Sequence, residues 1–270
     1  MSENGSGPAE PPMRLGGMAL KNGLLVHGPT SWAAAARAPE GTIRVASGRK
    51  PTFPGPASQV PGLRGPLRLA EGFAFIPIAR RDLPIARLPF EDLRVLAAAI
   101  LATAASAAIR KAKAPMAVRE ALAAGLGLMP ALIALRGSEL AAYHGVEHKA
   151  IGGYERGVDP AEVAKEHERC GSHLVAPMLA FSLVGQLVVE RLLPEPGRVA
   201  RGIAAIGGVS AAVELFVWSE KNPAHPLARA FRRPGTEIQR VFATREPTSE
   251  QMEVGTAAMD EILRAEGVKA

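Results

Sequence analysis

The spacing of apolar positions changes character along the chain. Met18 to His27 reads as a strand ended by the Gly28-Pro29 turn. Trp32 to Arg37 and Thr42 to Ser47, on either side of Pro39-Glu40-Gly41, predict a β-hairpin. Lys50 to Pro66 repeats Pro and Gly, which interrupt helices, and reads as a loop before an apolar stretch from Leu67 to Ile78. Four apolar segments follow in two pairs: Val95 to Ile109 with Val118 to Leu135, and Leu174 to Val189 with Val199 to Trp218. Each is near the lower limit of ~17 to 25 residues for a membrane-spanning helix, and each is rich in Ala and Gly rather than Leu and Phe. A soluble bundle of fully interior helices has the same pattern.

The segment between the pairs is polar. Ser138 is placed as the N-cap of a helix through Tyr143 and Lys149 to a break at Gly152-Gly153. Asp159, Pro160 and Glu162 predict the start of a second helix ending by Gly171, so that two short helices flank one loop. Further on, Pro234-Gly235 predicts a turn. Thr248 with Gln251 opens an amphipathic helix whose Met252, Met259, Ile262 and Leu263 form a core stripe. The expected fold is mainly α: a helical bundle with about four apolar, membrane-inserted helices and a small N-terminal antiparallel β unit. Its parts are a disordered start over 1–15, the β unit over 16–50 and a Pro/Gly-rich loop with an amphipathic segment over 51–90. A helical membrane domain over 91–220 then carries a polar site at 138–173, and 221–270 forms the C-terminal region.

Composition narrows the function classes. Lys and Arg are scattered among acids despite a net charge of +6, so no basic stripe tracks a phosphate backbone and nucleic acid is excluded as a partner. Cys170 is the only cysteine, which rules out an intramolecular disulfide and a four-cysteine zinc site and favours a reducing, cytosol-facing environment. Met1 to Met13 lacks the charged and apolar regions of a cleavable signal peptide, and none is expected. If all four apolar segments cross a membrane, the β unit, Arg136 to His173 and the C-terminal region share one side. Arg110, Lys111, Lys113 and Arg119 in the first short connector oppose a cytosolic placement of that side, unless the pairs dip in without crossing.

Of six histidines, four fall between His144 and His173. His144 and His148 are one helical turn apart, so both imidazoles project from one face at a separation that one metal ion can bridge. Glu147 stands beside them, giving H-x-x-E-H. In hydrolases with this pattern the histidines hold zinc and the glutamate is the general base. The alternative is a polar helix with ordinary hydrogen bonds. Candidates for a third ligand are His167 and Cys170, read as sharing a face of the second helix, and Glu214, a charge inside the last apolar segment. His173 is a weaker candidate. His27 and His225 read as surface or turn residues. Gly16-Gly17 lacks the strand-to-helix context of a dinucleotide fingerprint, and Ser182 and Ser210 have no neighbouring base.

G-G-M-A-L-K-N-G at Gly16 to Gly23, L-R-G at Leu63 to Gly65, Y-H-G-V-E-H-K at Tyr143 to Lys149, H-E-R-C-G-S at His167 to Ser172 and T-R-E-P at Thr244 to Pro247 resemble the YqhQ-type family of bacterial proteins. That family is described as a domain of unknown function, a predicted metal-dependent enzyme drawn as a multi-pass membrane protein. The resemblance implies a polar centre of Tyr143, His144, Glu147, His148, Lys149, His167, Arg169 and Cys170. Met18, Asn22 and His27 stand where the family usually has Gln, an acid and Arg, and C-G-S-H replaces C-G-T, so this chain looks like a divergent member. The expectation is a membrane-associated hydrolase of the bacterial cytoplasmic membrane using a divalent metal ion, zinc first among them. Its polar site faces the cytosol, and its partners are the lipid bilayer and other membrane proteins. The competing expectations are a scaffold or assembly factor in which His144, His148, His167 and Cys170 fasten two helices, and a hydrogen-bonded junction without metal.

Overall fold

The computed structural model describes residues 12–51, 60–136, 138–193 and 195–268. Four strands, β1 (Gly16–Leu20), β2 (Gly23–His27), β3 (Ser31–Arg37) and β4 (Ile43–Arg49), form an antiparallel sheet in chain order. The stretch from Met18 to His27, expected as one strand, is therefore two, turned at Lys21-Asn22. Asn22 fixes that turn: its amide donates to the carbonyls of Arg37 (3.0 Å) and Ile85 (2.9 Å) and accepts from the Arg87 N–H (2.9 Å).

Both faces of the central strands are covered, which is why Trp32 to Ala36 shows no apolar-polar alternation. Leu24, Val26, Ala33 and Ala35 pack against Val146 and Ala150 of α6 (Glu139–Arg156) and against Val254 and Ile262 of α10 (Ser249–Glu266). On the other face Leu25, Trp32 and Ala34 pack against Phe75, Ile76 and Ala79, where α1 (Arg64–Ala74) meets α2 (Ile76–Asp82). The α1 helix begins inside the stretch expected to be loop, of which 52–59 lie outside the described residues. Pro66 falls in its first turn, where the lost N–H has no helical acceptor.

The apolar segments form α3 (Leu93–Arg110), α4 (Met116–Gly127) continued by α5 (Met129–Leu135), α7 (Ser172–Leu192) and α8 (Arg198–Lys221). Counting α4 and α5 together, these are four helices long and apolar enough to cross a membrane, and only 11 to 17% of their apolar windows is buried within the protein. That much outward apolar surface calls for an apolar surrounding, and the low burial speaks against a soluble bundle of interior helices. Each pair turns at a short connector. The sheet, α6, α9 (Pro226–Ile238) and α10 collect at the opposite end.

Three expected features of the polar segments are corrected. The α6 helix runs through Gly152-Gly153 and ends at Gly157, whose φ of 65° forms a left-handed cap. The glycine pair serves close approach: Cβ atoms there would come 2.8 Å from Val163 Cγ1 and 2.9 Å from Pro160 Cγ. No second helix follows. Only a 3-10 turn, Pro160–Glu162, precedes an irregular segment up to α7, because buried Val163 anchors the chain on α6. Pro234-Gly235 lies inside α9 rather than at a turn, and a single π-helical turn, Gln239–Ala243, follows it. The last helix starts as expected, with Thr248 and Gln251 forming a capping box and Met259 and Ile262 buried.

Candidate metal centre

Ser138 caps α6, and one face of that helix carries His144 and His148 with ring centroids 4.4 Å apart. His144 Nδ1 meets the Ala243 carbonyl at 2.9 Å, and His148 Nδ1 meets the Lys165 carbonyl at 2.5 Å. A carbonyl oxygen only accepts, so both Nδ1 atoms carry hydrogen and both Nε2 atoms present lone pairs. His144 Nε2 faces Cys170 Sγ at 3.4 Å, whereas His148 Nε2 is buried without a hydrogen-bond partner. One potential ligand atom from each of His144, His148 and Cys170 lies within 4.8 Å of the others, a group that could hold a metal ion. The donor set suits a borderline-soft divalent cation, and each imidazole has the outer carbonyl partner typical of ligating histidines.

Burial disfavours the charged forms of His148 and Cys170. Burial lowers the His148 pKa to about 2, with the His144 charge adding to the effect. Burial raises the Cys170 thiol, against the opposing Ser172 N–H. A cation reverses this balance, because it stabilises the thiolate and needs the neutral imidazoles as they stand.

Glu147 lies on the sheet side of the pair. Its carboxyl is packed against Gly17 and receives the Ala19 N–H. Burial lifts its pKa to about 7, partly offset by His144. A cavity of about 320 Å³ opens among Gly17, His27, Glu147, His148, Arg169 and Cys170.

The remaining sequence candidates are placed differently. His167, on the irregular segment, shares no helical face with Cys170. Its Nδ1 accepts the Arg169 N–H at 3.2 Å and its Nε2 donates to Glu155 at 3.2 Å, so neither nitrogen faces the His/His/Cys group. Arg169 forms an ion pair with the same Glu155. Lys149 pairs with Glu246 at 2.6 Å. Tyr143 points into the core between α6 and the sheet. Glu214, on α8, accepts the Gly62 N–H at 3.0 Å and is not part of the group. His173 is buried, donating from Nδ1 to the Arg232 carbonyl at 2.9 Å and meeting the Gln239 amide at 3.2 Å. His225 is an exposed N-cap of α9, in line with its reading as a surface residue.

Four contributors escape a reading of the sequence. His27, expected at a turn or surface, ends β2 and lines the cavity. Lys165 supplies a carbonyl, and Gln239 accepts the His167 N–H at 2.7 Å from the π turn. No local pattern marks either residue. Glu155 was legible in principle, since its spacing of seven residues from His148 returns to the same helix face.

Residues 138–265 match the profile of a family described as "Protein of unknown function (DUF1385)". Over 136 residues the chain is 31% identical to the "Uncharacterized protein YqhQ" of Bacillus subtilis (strain 168), a match covering 47% of this chain and 41% of that protein. Residues 138–265 are thus similar to the DUF1385 family, and YqhQ is a divergent relative of part of the chain. The chain matches about two-fifths of the length of that relative. No solved structure matches it. The DUF1385 segment contains His144, Glu147, His148 and Cys170, and both carbonyls that fix the imidazoles. Gly17 and His27 come from the sheet, outside the matched segment.

Proposed function

We propose that this chain is a metal-dependent hydrolase of a bacterial cytoplasmic membrane, with His144, His148 and Cys170 holding a divalent ion, zinc first among candidates, and Glu147 as general base. The observation that carries this reading is His148 Nε2, a buried lone pair with no hydrogen-bond partner, beside His144 Nε2 and Cys170 Sγ. A buried polar atom without a partner is costly, and a metal ion would satisfy it. Three protein ligands beside a cavity match an open, catalytic site better than a closed one.

An ion bound there would supply Lewis acidity towards water or an ester or amide oxygen. Glu147, with a pKa near 7, can take a proton from water in the cavity and return it to the leaving group. Neither Lys149 nor Arg169 draws its carboxylate away, since each pairs with another acid. A site that depends on a free thiol favours the cytosolic side.

A second reading, a scaffold with a structural metal, has one observation behind it: Cys170 and the Lys165 carbonyl fasten an irregular segment to α6. Elemental analysis of detergent-purified protein separates the readings when wild type, a His144→Ala/His148→Ala variant and Glu147→Gln are compared. The hydrolase reading expects stoichiometric metal in wild type and Glu147→Gln, none in the double variant, and hydrolysis of model esters or amides lost with Glu147. Metal without any Glu147-dependent hydrolysis supports the scaffold. Absence of metal from wild type even after reconstitution with zinc, manganese and iron overturns both.

A further inference from the structure

A second cavity, of about 560 Å³, lies on the other side of His167, between the end of α6, the start of α7 and α9. Four arginines line it. Arg232 pairs with Glu168 at 3.3 Å, but Arg156, Arg229 and Arg233 form no ion pair among the described residues. The other acids of the lining are engaged elsewhere, Glu237 with Arg240 at 2.8 Å and Glu166 with Lys165 at 4.0 Å. Three guanidiniums are therefore left facing one cavity.

Its depth is fixed by packing. Gly235 of α9 rests directly on His173 in the first turn of α7, so α9 lies across the mouth of the α7–α8 pair, where those apolar helices emerge. Leu227 of α9 and Val241 of the π turn that follows it are apolar side chains at 67% and 70% exposure. A basic amphipathic helix at this level lies in the interface of a bilayer, where phosphate headgroups sit.

We infer that this groove binds the phosphate headgroup of an anionic membrane lipid, held by Arg156, Arg229 and Arg233. The inference rests on reading the apolar helices as membrane spans and is independent of the metal.

The test is native mass spectrometry of the full chain in detergent, titrated with phosphatidylglycerol and with phosphatidylcholine of the same acyl chains. Wild type should retain phosphatidylglycerol preferentially, and less of it as salt rises. Arg156→Gln/Arg229→Gln/Arg233→Gln should bind it about a hundredfold more weakly, while the corresponding triple lysine variant keeps most of the affinity. Equal retention of the two lipids, or unchanged affinity in the glutamine variant, overturns the proposal. Displacement of the lipid by equimolar glycerol 3-phosphate overturns the lipid assignment in favour of a soluble phosphate ester. Extraction of wild type from membranes by alkaline carbonate would refute the membrane reading itself. Retention of lipid binding in the His144→Ala/His148→Ala variant would separate this groove from the metal centre.

Discussion

Gly17 and Glu147 are in direct contact, and a Cβ built at position 17 would lie 2.8 Å from Glu147 Oε1. Strand β1 can therefore close over the carboxyl only because residue 17 has no side chain. Gly17→Ala must shift either the strand or the carboxyl, which predicts a stability loss of about 1 to 3 kcal/mol, read as a lower thermal midpoint in detergent. Metal content should stay at the wild-type value, since position 17 touches neither imidazole. Wild-type stability in the alanine variant would show that the strand is not seated on Glu147.

Cys170 distinguishes a metal centre from a hydrogen-bonded junction. Its sulfur faces His144 Nε2, and burial disfavours the free thiolate. Cobalt(II)-substituted wild type should show a sulfur-to-cobalt charge-transfer band that is absent from Cys170→Ala. If both proteins give the same spectrum, the thiol is not a ligand.

The legible parts of this molecule are those in which local pattern and final packing agree. The four apolar segments and the Thr248 cap follow from periodicity and capping alone, and the His144/His148 pair from the helical repeat. The illegible parts are those in which a residue answers to something distant in sequence. Gly152-Gly153 looks like a helix break, yet it admits Val163 and Pro160 to the helix surface. Gly145, inside the histidine motif, is required by the Arg245 carbonyl a hundred residues away. Asp159, Pro160 and Glu162 carry the capping signals of a helix, but the backbone groups of the irregular segment that follows, from Val163 to Gly171, find partners in Gln239 and His148 instead.

Glu147 predicts a pH dependence in metal-free protein. Its pKa is 4.5 when unperturbed and about 7 in the fold, so between these values the folded chain keeps a proton that the unfolded chain has released. Stability from this group is full below pH 4.5 and is lost as pH rises through 7, by about 3 kcal/mol at most. His148, lowered from 6.5 to about 2, acts in the opposite sense, losing stability as pH falls below 6.5. Chelator-treated Glu147→Gln retains only the second dependence. Denaturant midpoints should thus show the variant gaining on wild type from pH 4.5 to 7, and a constant difference would mean that Glu147 is ionised in the fold.

Lys165 ties the two imidazoles to a common support. Its carbonyl accepts from His148 Nδ1, while its ammonium donates to the carbonyls of Arg240 (2.8 Å) and Thr244 (3.1 Å). Those carbonyls bracket Ala243, whose own carbonyl accepts from His144 Nδ1. One side chain thus holds together both acceptors that orient the lone pairs. Lys165→Met frees the π turn from the irregular segment and should weaken metal binding by about 10 to 100-fold, the range expected when an outer partner of a ligating histidine is lost. Lys165→Arg, which keeps the charge and the donors, should recover part of that affinity. Competition with a chromophoric chelator measures both variants. Should Lys165→Met bind metal as wild type does, the carbonyls hold their positions without it, and the π turn is rigid on its own account.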